Sequence, residues 1–516
     1  MKLKPILTVL LILAIFILLL LSLSLNWIGA NFGGVTFDEI LFHLNMPLKG
    51  TGGGYVQTYI TKAVLPAAGI VVEVLVLLFI IRAFLQMFPK AWEKVKKGLE
   101  KIQKYRVWAG IVVIVVWLGA ACVRAQNWFG FFDFVQGIMQ RTNFFEEEYI
   151  DPKNVTLTFP EKKRNLIYIF VESAESSSMD KASGGLMNTN YIPELTTIAQ
   201  ENISFSHSDL LEGAAVPPLC GWTIAGMCAE TAGLPLKLYA TNTFRANNAM
   251  DEYAAFLPGA TSLGDILEAE GYHNVFMCGS DAEFGGRLNF CTQHGNYEIF
   301  DYNRAQSEGR LPYEGYYVWW GFEDERLFEW AKEELKVLAE EEQPFNFTVL
   351  TVDTHSQDGW VCDLCRNETD SQYGNVWRCA SRQIDAFVKW IQEQDFYENT
   401  TVIIAGDHCS MDKDFYGDYG YERNYGESTR KVYNAFLNSA VDPVQETGRL
   451  FTTLDFFPST LAAMGVQIEG DRLGLGVNLF GDEQTLAEKY GYDYMFGEMR
   501  KTSVFYDREL LYPKGQ

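Results

Sequence analysis

The chain has 516 residues, a net charge of −24 and 9 cysteines. A protein this acidic is not expected to bind nucleic acid, whose phosphates require Lys and Arg, although a bound divalent cation can still make one site locally positive. The length exceeds one ordinary hydrophobic core, so we expect two or three structural units.

The N-terminal part is strongly apolar and predicts transmembrane helices at 5–26, 64–85 and 107–123. The first stretch is longer than the apolar core of a usual signal peptide, and no small-residue cleavage site clearly follows it, so we interpret it as an uncleaved helix. The loop between the second and third stretches is rich in Lys and Arg. The positive-inside rule therefore predicts that this loop and the N-terminus lie inside the cell, and that everything after residue 123 lies outside.

Residues 124–149 follow the third stretch and are rich in Trp and Phe, which are enriched where a membrane meets water. We expect an amphipathic segment on the outer membrane surface, with an ordinary buried helix as the alternative. The predicted organisation is a transmembrane region at 1–124, an interfacial linker at 125–160 and an extracellular domain at 161–516.

Four apolar runs in the extracellular part predict β-strands at 165–171, 275–277, 345–352 and 401–405. These runs are continuous rather than alternating, which is typical of parallel strands covered by helices on both faces. Helical patterns at 323–340 and 380–394 lie between the runs. This alternation predicts an α/β domain with a mostly parallel central sheet.

Potential metal ligands follow three of these runs where the predicted strands end. Glu172 follows the first run directly, and His355 follows the third. Asp407 and His408 follow the fourth run after one glycine. Because ligands of open α/β sheets bind beyond the carboxyl ends of strands, we expect these side chains to converge on one site. Carboxylate and imidazole ligands suit Mn²⁺ or Zn²⁺.

The sequence Gly-Trp-Thr-Ile-Ala-Gly at 221–226 supplies a candidate nucleophile, Thr223. The glycines on either side fit a tight entry into a helix, and the first backbone N–H groups of a helix favour a phosphate. A metal beside a hydroxyl lowers the pKa of that hydroxyl and makes it a usable nucleophile near neutral pH. A Thr beside a Gly is more often a helix cap, so this assignment depends on the predicted metal ligands.

Four short sequences follow the predicted membrane helices in a characteristic order: Val-Glu-Ser at 171–173, Gly-Trp-Thr-Ile-Ala-Gly at 221–226, Val-Asp-Thr-His at 352–355 and Gly-Asp-His at 406–408. Together they resemble the sulfatase-like membrane phosphoglycerol transferases. This family includes lipoteichoic acid synthases and the phosphoglycerol transferases that decorate periplasmic glucans. The resemblance covers roughly residues 165–481 and implies the fold of the alkaline phosphatase and sulfatase superfamily.

The resemblance also implies a reaction and its residues. A metal-activated Thr takes glycerophosphate from phosphatidylglycerol, diacylglycerol leaves, and an acceptor hydroxyl receives the group. Thr223 is the implied nucleophile and is also an implied metal ligand, while His355 and Arg287 fall where the family binds substrate. The other implied ligands of the single divalent ion are Glu172, Asp407 and His408. Mn²⁺ is the expected ion, with Zn²⁺ and Mg²⁺ as alternatives.

The implied partners are phosphatidylglycerol, the membrane lipid, and a glycan or glycerophosphate-polymer acceptor outside the cell. Lipoteichoic acid synthases carry a His and a Trp where this chain has Cys278 and Gly285, which puts a polyglycerolphosphate product in question. Phosphoethanolamine transferases use the same metal and Thr chemistry and are the nearest alternative. A true sulfatase would need a Cys/Ser-x-Pro-x-Arg sequence, which is absent. Outside the enzymes, the alternative is a membrane sensor or scaffold with a degenerate domain.

The cysteines leave alternatives open. Cys362, Cys365 and Cys379 predict either a disulfide in an exterior loop or a zinc site, although no fourth zinc ligand is evident in the sequence. Cys220 and Cys228 flank the candidate nucleophile, either as a pair or as small buried thiols.

Overall fold

The computed structural model describes residues 3–32, 35–44, 53–102, 106–237, 255–417 and 430–513. The chain forms two compact units, one made of Met1–Phe32 and Thr51–Asp133, and the other made of Gly33–Gly50 and Phe134–Gln516. The second unit is therefore discontinuous in sequence, because it includes a short segment from between the first two apolar stretches.

The N-terminal helices are α1 (Leu3–Asn31), α2 (Phe37–Leu44), α3 (Gly53–Tyr59), α4 (Leu65–Gln86), α5 (Pro89–Ile102), α6 (Arg106–Phe129), α7 (Phe131–Met139) and α8 (Phe144–Glu148). Among its described residues, the first unit has three helical stretches long and apolar enough to cross a membrane: Val9–Asn31, Gly54–Gln86 and Gly110–Phe129. The stretches predicted at 5–26, 64–85 and 107–123 are helical in the structure; α1 and α6 are longer than predicted, and α4 has the predicted length. At the ends of α1 and α6, Arg124 Nη1 donates a hydrogen bond of 2.9 Å to Asn26 Oδ1.

The strands are β1 (Leu157–Thr158), β2 (Asn165–Val171), β3 (His273–Cys278), β4 (Glu298–Phe300), β5 (Phe345–Leu350), β6 (Thr400–Gly406), β7 (Asn434–Leu437), β8 (Gln467–Ile468), β9 (Arg472–Leu473) and β10 (Gly476–Val477). Six of them form the central sheet of the second unit, in the order β4-β3-β5-β2-β6-β7. Only β7 is antiparallel to its neighbour within this sheet, so the predicted α/β fold with a mostly parallel sheet is confirmed.

The four predicted strands are β2, β3, β5 and β6, and the bounds of β2 agree with the prediction. The edge strands β4 and β7 were not predicted, because they are short and have no long apolar run. Side chains of β2 alternate between two cores: Tyr168 and Phe170 pack on one face of the sheet, Ile167 and Ile169 on the other. Burial on both faces is the reason that the run is continuously apolar.

The later helices are α9 (Pro193–Glu201), α10 (Thr223–Ala232), α11 (Leu263–Ala269), α12 (Arg287–Gln293), α13 (Tyr302–Ser307), α14 (Asp324–Leu338), α15 (Gln372–Gln392), α16 (Lys413–Tyr416), α17 (Phe456–Ala463), α18 (Leu486–Tyr490) and α19 (Tyr492–Arg500). Turns of 3₁₀-helix lie at Pro152–Asn154, Ser176–Ser178, Phe284–Gly286, Asp395–Asn399, Thr453–Asp455 and Glu469–Asp471, and π-helical turns at Ile60–Val64 and Tyr506–Leu511. Helix α14 agrees with the prediction at 323–340, whereas α15 begins earlier than residue 380. Its start is fixed by Ser371, whose side chain accepts a hydrogen bond from the Gly374 N–H.

The segment predicted as a linker contains several elements. Helix α6 continues to Phe129, and α7 and α8 follow. Phe144 and Phe145 are buried in the core of the second unit, so this part of the segment is a buried helix. The prediction that the remaining aromatic residues of this segment lie at a membrane surface stays a prediction.

Candidate active site

Glu172, Asp407 and His408 meet at the carboxyl edge of the central sheet, and we call them the acid–histidine cluster. The parallel register of β2 and β6 places Val171 beside Gly406, so the residues that follow the two strands are neighbours. One ligand atom from each residue lies within 4.8 Å of the others, and all three side chains are buried. The structure therefore brings three of the predicted ligands together by a simple rule of strand geometry.

Hydrogen bonds orient each member of the cluster. The backbone N–H groups of Ser173 and His408 both donate to Asp407 Oδ1, at 2.8 and 2.9 Å. The Ser173 hydroxyl donates to Glu172 Oε1 at 2.7 Å. His408 Nδ1 lies 2.9 Å from the Cys409 carbonyl oxygen, so Nδ1 carries a proton, and Nε2 faces the carboxylates.

The atoms left over by these hydrogen bonds fit a divalent cation. Asp407 Oδ2 and His408 Nε2 are buried and have no hydrogen-bond partner among the described residues. His408 Nε2 lies 3.5 Å from both Glu172 Oε1 and Asp407 Oδ2. Burial and the adjacent Glu172 carboxylate raise the pKa of Asp407 to about 7. Because buried polar atoms are normally paired, converging oxygen and nitrogen atoms without partners are suited to a metal ion.

Thr223 stands beside this cluster at the first position of α10. Its Oγ1 donates a hydrogen bond of 3.3 Å to Glu172 Oε2. The residue before it, Trp222, is extended and supplies no side-chain cap, so the first N–H groups of α10 stay oriented toward the helix entrance. The hydroxyl is thus placed next to both a metal-ligand oxygen and a helix N-terminus, where an anionic phosphate is favoured.

The two glycines that flank Thr223 have different roles. A Cβ atom added to Gly226 would lie 2.0 Å from the carbonyl oxygen of Asp407, which is far closer than atoms can approach. A Cβ atom added to Gly221 would meet no atom within 4 Å. Gly226 is therefore required by the close contact of α10 with the backbone of Asp407, rather than by the tight turn that the sequence suggested.

His355 lies in the turn after β5, and its ring packs against Trp320 with the centroids 4.6 Å apart. Burial lowers the pKa of His355, the Glu172 carboxylate opposes this shift, and the positive charges of His408 and Arg287 add to it. His355 is therefore close enough to Glu172, His408 and Arg287 for their charges to act on its ring. The structure thus groups His355 with the other predicted site residues.

Arg287 is buried at the first position of α12, and its guanidinium is held by the preceding loop. It donates hydrogen bonds to the carbonyl oxygens of Phe284 and Asp281 and to the hydroxyl of Ser280, at 3.0, 2.8 and 3.0 Å. A guanidinium held in this way is a fixed donor group, which suits recognition of a phosphate.

Sequence reasoning missed helix α2, which packs against this site within the second unit. Phe42 contacts Trp222, the neighbour of Thr223, with ring centroids 5.3 Å apart. Glu39 is buried, and burial raises its pKa to about 8 against the opposing effect of the positive His408. His43 Nε2 lies 4.0 Å from Glu39 Oε1. An acidic and a basic side chain are thereby added beside the predicted residues.

A signal for α2 was present in the sequence but is weak. Residues 36–44 combine large apolar side chains with two acidic residues inside the loop between the first two apolar stretches. Such a pattern is typical of a short amphipathic helix, but its partner surface lies far along the chain.

The nine cysteines are all free thiols in the structure. Cys220 and Cys228 are separate and buried, which favours the interpretation as packed thiols over a pair. Cys362, Cys365 and Cys379 lie together, and we call them the cysteine cluster.

Comparison with known proteins gives a family and several relatives. The Sulfatase family model matches residues 164–466. This range includes β2, β6 and the six site residues predicted from the sequence. Phosphoglycerol transferase I of Xanthomonas campestris pv. campestris strain B100 is 32% identical over 302 residues, which cover 57% of this chain and 40% of the relative. Phosphoglycerol transferase I of Escherichia coli strain 55989 is 31% identical over 265 residues, covering 50% of this chain and 32% of the relative.

This chain therefore spans less than half of the length of these curated relatives. Among solved structures, the lipooligosaccharide phosphoethanolamine transferase A of Neisseria meningitidis superimposes with a TM-score of 0.49 and 14% identity, covering 88% of this chain and 84% of that chain.

Proposed function

Because this chain belongs to the Sulfatase family, we propose that it is a membrane-anchored phosphoglycerol transferase. The proposed reaction moves glycerophosphate from phosphatidylglycerol, through a covalent intermediate on Thr223, to a hydroxyl of an extracytoplasmic glycan or teichoic acid. The observation that carries the proposal is the Thr223 hydroxyl, 3.3 Å from Glu172 beside a buried cluster of ligand atoms. The relatives named phosphoglycerol transferase I support the choice of head group.

The acid–histidine cluster and the Thr223 hydroxyl would hold one divalent cation, which we propose to be Mn²⁺. When bound, such an ion lowers the pKa of a neighbouring hydroxyl and neutralises charge on a phosphate. Zn²⁺ and Mg²⁺ remain alternatives, since carboxylate oxygens bind all three ions and imidazole favours Mn²⁺ and Zn²⁺ over Mg²⁺.

Two displacements at phosphorus complete the proposed reaction. In the first, Thr223 Oγ1 forms a bond to phosphorus, the bond from phosphorus to the diacylglycerol oxygen breaks, and the hydroxyl proton of Thr223 ends on diacylglycerol. In the second, the acceptor oxygen forms a bond to the same phosphorus, the bond to Thr223 breaks, and the acceptor proton returns to Thr223. Because phosphoryl transfer depends mainly on positioning and charge neutralisation, the fixed entrance of α10 suits both steps.

Arg287 and His355 would bind the substrate. The guanidinium of Arg287 supplies positive charge to the phosphate, and the surrounding loop keeps its orientation. His355 Nδ1 is 2.8 Å from the carbonyl oxygen of Ser356, so in the neutral ring Nε2 accepts a hydrogen bond. An accepting nitrogen suits a hydroxyl group, which both the glycerol head group and the proposed acceptor carry.

The arrangement in the membrane is part of the same proposal. We propose a multi-pass protein with a transmembrane region at 1–124, a linker at 125–160 and a catalytic domain at 161–516 that lies outside the cell. The three apolar helices support the anchoring, and the excess of Lys and Arg between the second and third of them supports the orientation.

The test is release of diacylglycerol from phosphatidylglycerol by the purified full chain with Mn²⁺. We expect release with the parent protein, a loss to background in Thr223→Ala, and partial activity in Thr223→Ser, which keeps a hydroxyl. Intact-protein mass should show one added glycerophosphoryl group in the parent when the acceptor is withheld. Equal release by Thr223→Ala would disprove the nucleophile, and consumption of phosphatidylethanolamine instead would disprove the head group.

A further inference from the structure

The cysteine cluster is a second group of metal-ligand side chains, and the proposed reaction does not use it. Cys362 Sγ lies 3.7 Å from Cys365 Sγ and 3.6 Å from Cys379 Sγ. All three sulfur atoms lie within 4.8 Å of one another. Cys362 and Cys379 are buried, and Cys365 is half-buried. Three thiols therefore converge on one small volume with little access to solvent.

The spacing of the sulfur atoms fits a tetrahedral zinc ion. Zinc–sulfur bonds of about 2.3 Å in a tetrahedron place the sulfur ligands about 3.8 Å apart. The two measured separations of 3.6 and 3.7 Å lie close to this value. Thiols in simple van der Waals contact reach a similar spacing, so the group at the fourth corner decides between the two interpretations.

The side-chain amide of Gln383 occupies that corner. Gln383 follows Cys379 by one turn of α15, so both side chains lie on one face of the helix. Its Nε2 donates hydrogen bonds to Cys379 Sγ at 3.4 Å and to Cys362 Sγ at 3.7 Å. An oxygen ligand bound to zinc at about 2.1 Å would lie about 3.6 Å from each sulfur, in agreement with these two distances.

The amide of Gln383 also has an atom without a partner. Its Oε1 is buried and has no hydrogen-bond partner among the described residues, while the side chain is only 9% exposed. A half turn of the amide exchanges its oxygen and nitrogen without moving other atoms, which places Oε1 at the fourth corner. The same rotation turns the unpaired oxygen into a ligand. In the unrotated orientation Nε2 donates to two of the sulfur atoms, so the rotation of the amide and the binding of the metal go together.

The four side chains join two different parts of the second unit. Cys362 and Cys365 belong to the segment 351–371, which has no helix or strand and carries His355. Cys379 and Gln383 belong to α15, which packs in the core on one face of the sheet. Holding a segment of this length in one conformation costs considerable chain entropy, and a bound ion that crosslinks it offsets part of that cost.

We propose that Cys362, Cys365, Cys379 and the side-chain oxygen of Gln383 bind a structural zinc ion that fixes the segment carrying His355. The site differs in chemistry from the acid–histidine cluster, because thiolates select zinc whereas carboxylates and imidazole accept Mn²⁺. Binding replaces the three thiol protons with the metal and requires no oxidant. The proposal does not depend on the reaction that the protein catalyses.

The first test is the metal content of the full chain purified without chelators. We expect one zinc per chain that survives Asp407→Asn, because that substitution affects only the other cluster. In Cys379→Ser the zinc should be lost, whereas in Cys291→Ser, a buried thiol outside the cluster, it should be retained. Gln383→Ala should weaken zinc binding by at least about tenfold, because loss of a residue that merely supports a ligand already has an effect of this size.

A second measurement does not depend on whether the variants fold. Cobalt added to the metal-free parent protein should give the near-ultraviolet sulfur-to-cobalt charge-transfer band of a thiolate site, and zinc should displace it. The proposal is overturned if the parent protein neither contains zinc nor binds it when zinc is supplied. It is also overturned if non-reduced peptide mapping finds two of the three cysteines joined in a disulfide.

Discussion

The acid–histidine cluster and the cysteine cluster differ first in the elements that carry them. The former lies at the ends of two adjacent parallel strands, whose register alone brings Glu172 next to Asp407. The latter joins a segment without regular structure to a helix. A site on strand ends is positioned by the sheet before any ion binds, whereas the cysteine cluster would itself position the segment that carries it.

The clusters differ also in what closes them. The acid–histidine cluster has a hydroxyl beside it, that of Thr223, at the entrance of a helix. The cysteine cluster is closed by a buried amide, that of Gln383. Metal sites that keep a position for a reactant are typical of catalysis, and closed sites are typical of structural roles. This difference agrees with the proposed catalytic role of the acid–histidine cluster and the proposed structural role of the cysteine cluster.

The largest expected effect comes from Asp407→Asn, which removes a carboxylate from the acid–histidine cluster. We expect diacylglycerol release to fall by at least about 10³-fold, because loss of a central catalytic group has effects of this size or larger. The measurement is turnover of phosphatidylglycerol together with thermal unfolding. If activity stayed within tenfold of the parent, the acid–histidine cluster would not be the reaction site.

A smaller effect is expected from Gly226→Ala. The added methyl group would lie 2.0 Å from the carbonyl oxygen of Asp407 and would push α10 away from it. Overpacking of this kind costs about 1–3 kcal/mol of stability, and a displacement of about 1 Å at a catalytic group lowers the rate by roughly 10²-fold.

The matched control for this variant is Gly221→Ala, whose methyl group would meet open space. We expect its turnover and its unfolding temperature to equal those of the parent. Zinc in the cysteine cluster should be unchanged in both variants. Equal turnover of Gly226→Ala and Gly221→Ala would show that the contact of α10 with Asp407 does not position the nucleophile.

The smallest expected effect comes from Glu39→Gln in α2. Glu39 is buried beside His43, and its pKa of about 8 leaves the carboxyl protonated at neutral pH, so the amide changes the hydrogen bonding of this side chain rather than its charge and removes no ligand. We expect kcat/KM for phosphatidylglycerol to fall about fivefold, which corresponds to about 1 kcal/mol. Glu146→Gln, at an exposed position of α8, is the control. A change confined to stability, with kcat/KM intact, would limit α2 to a packing role.

The sequence was sufficient for features that depend on local pattern. The apolar run of β2 gave its bounds, and the rule for strand ends placed Glu172 beside Asp407 and His408. It was insufficient for contacts between distant parts of the chain. The packing of Phe42 on Trp222 joins residues far apart in sequence, and no local pattern reports it. The corner taken by Gln383 was missed for the same reason, because its relation to Cys362 requires the loop to fold back onto α15.

Helix α2 belongs to the second unit but precedes most of the first unit in the sequence. A single proteolytic cut therefore cannot release the whole second unit from the apolar helices. A protease that released residues 134–516 would leave α2 behind and uncover the ring of Trp222, next to Thr223. The shed fragment would keep the acid–histidine cluster but lose Glu39 and His43. Proteolytic release would therefore yield a fragment that lacks the side chains of α2 packed beside the proposed active site.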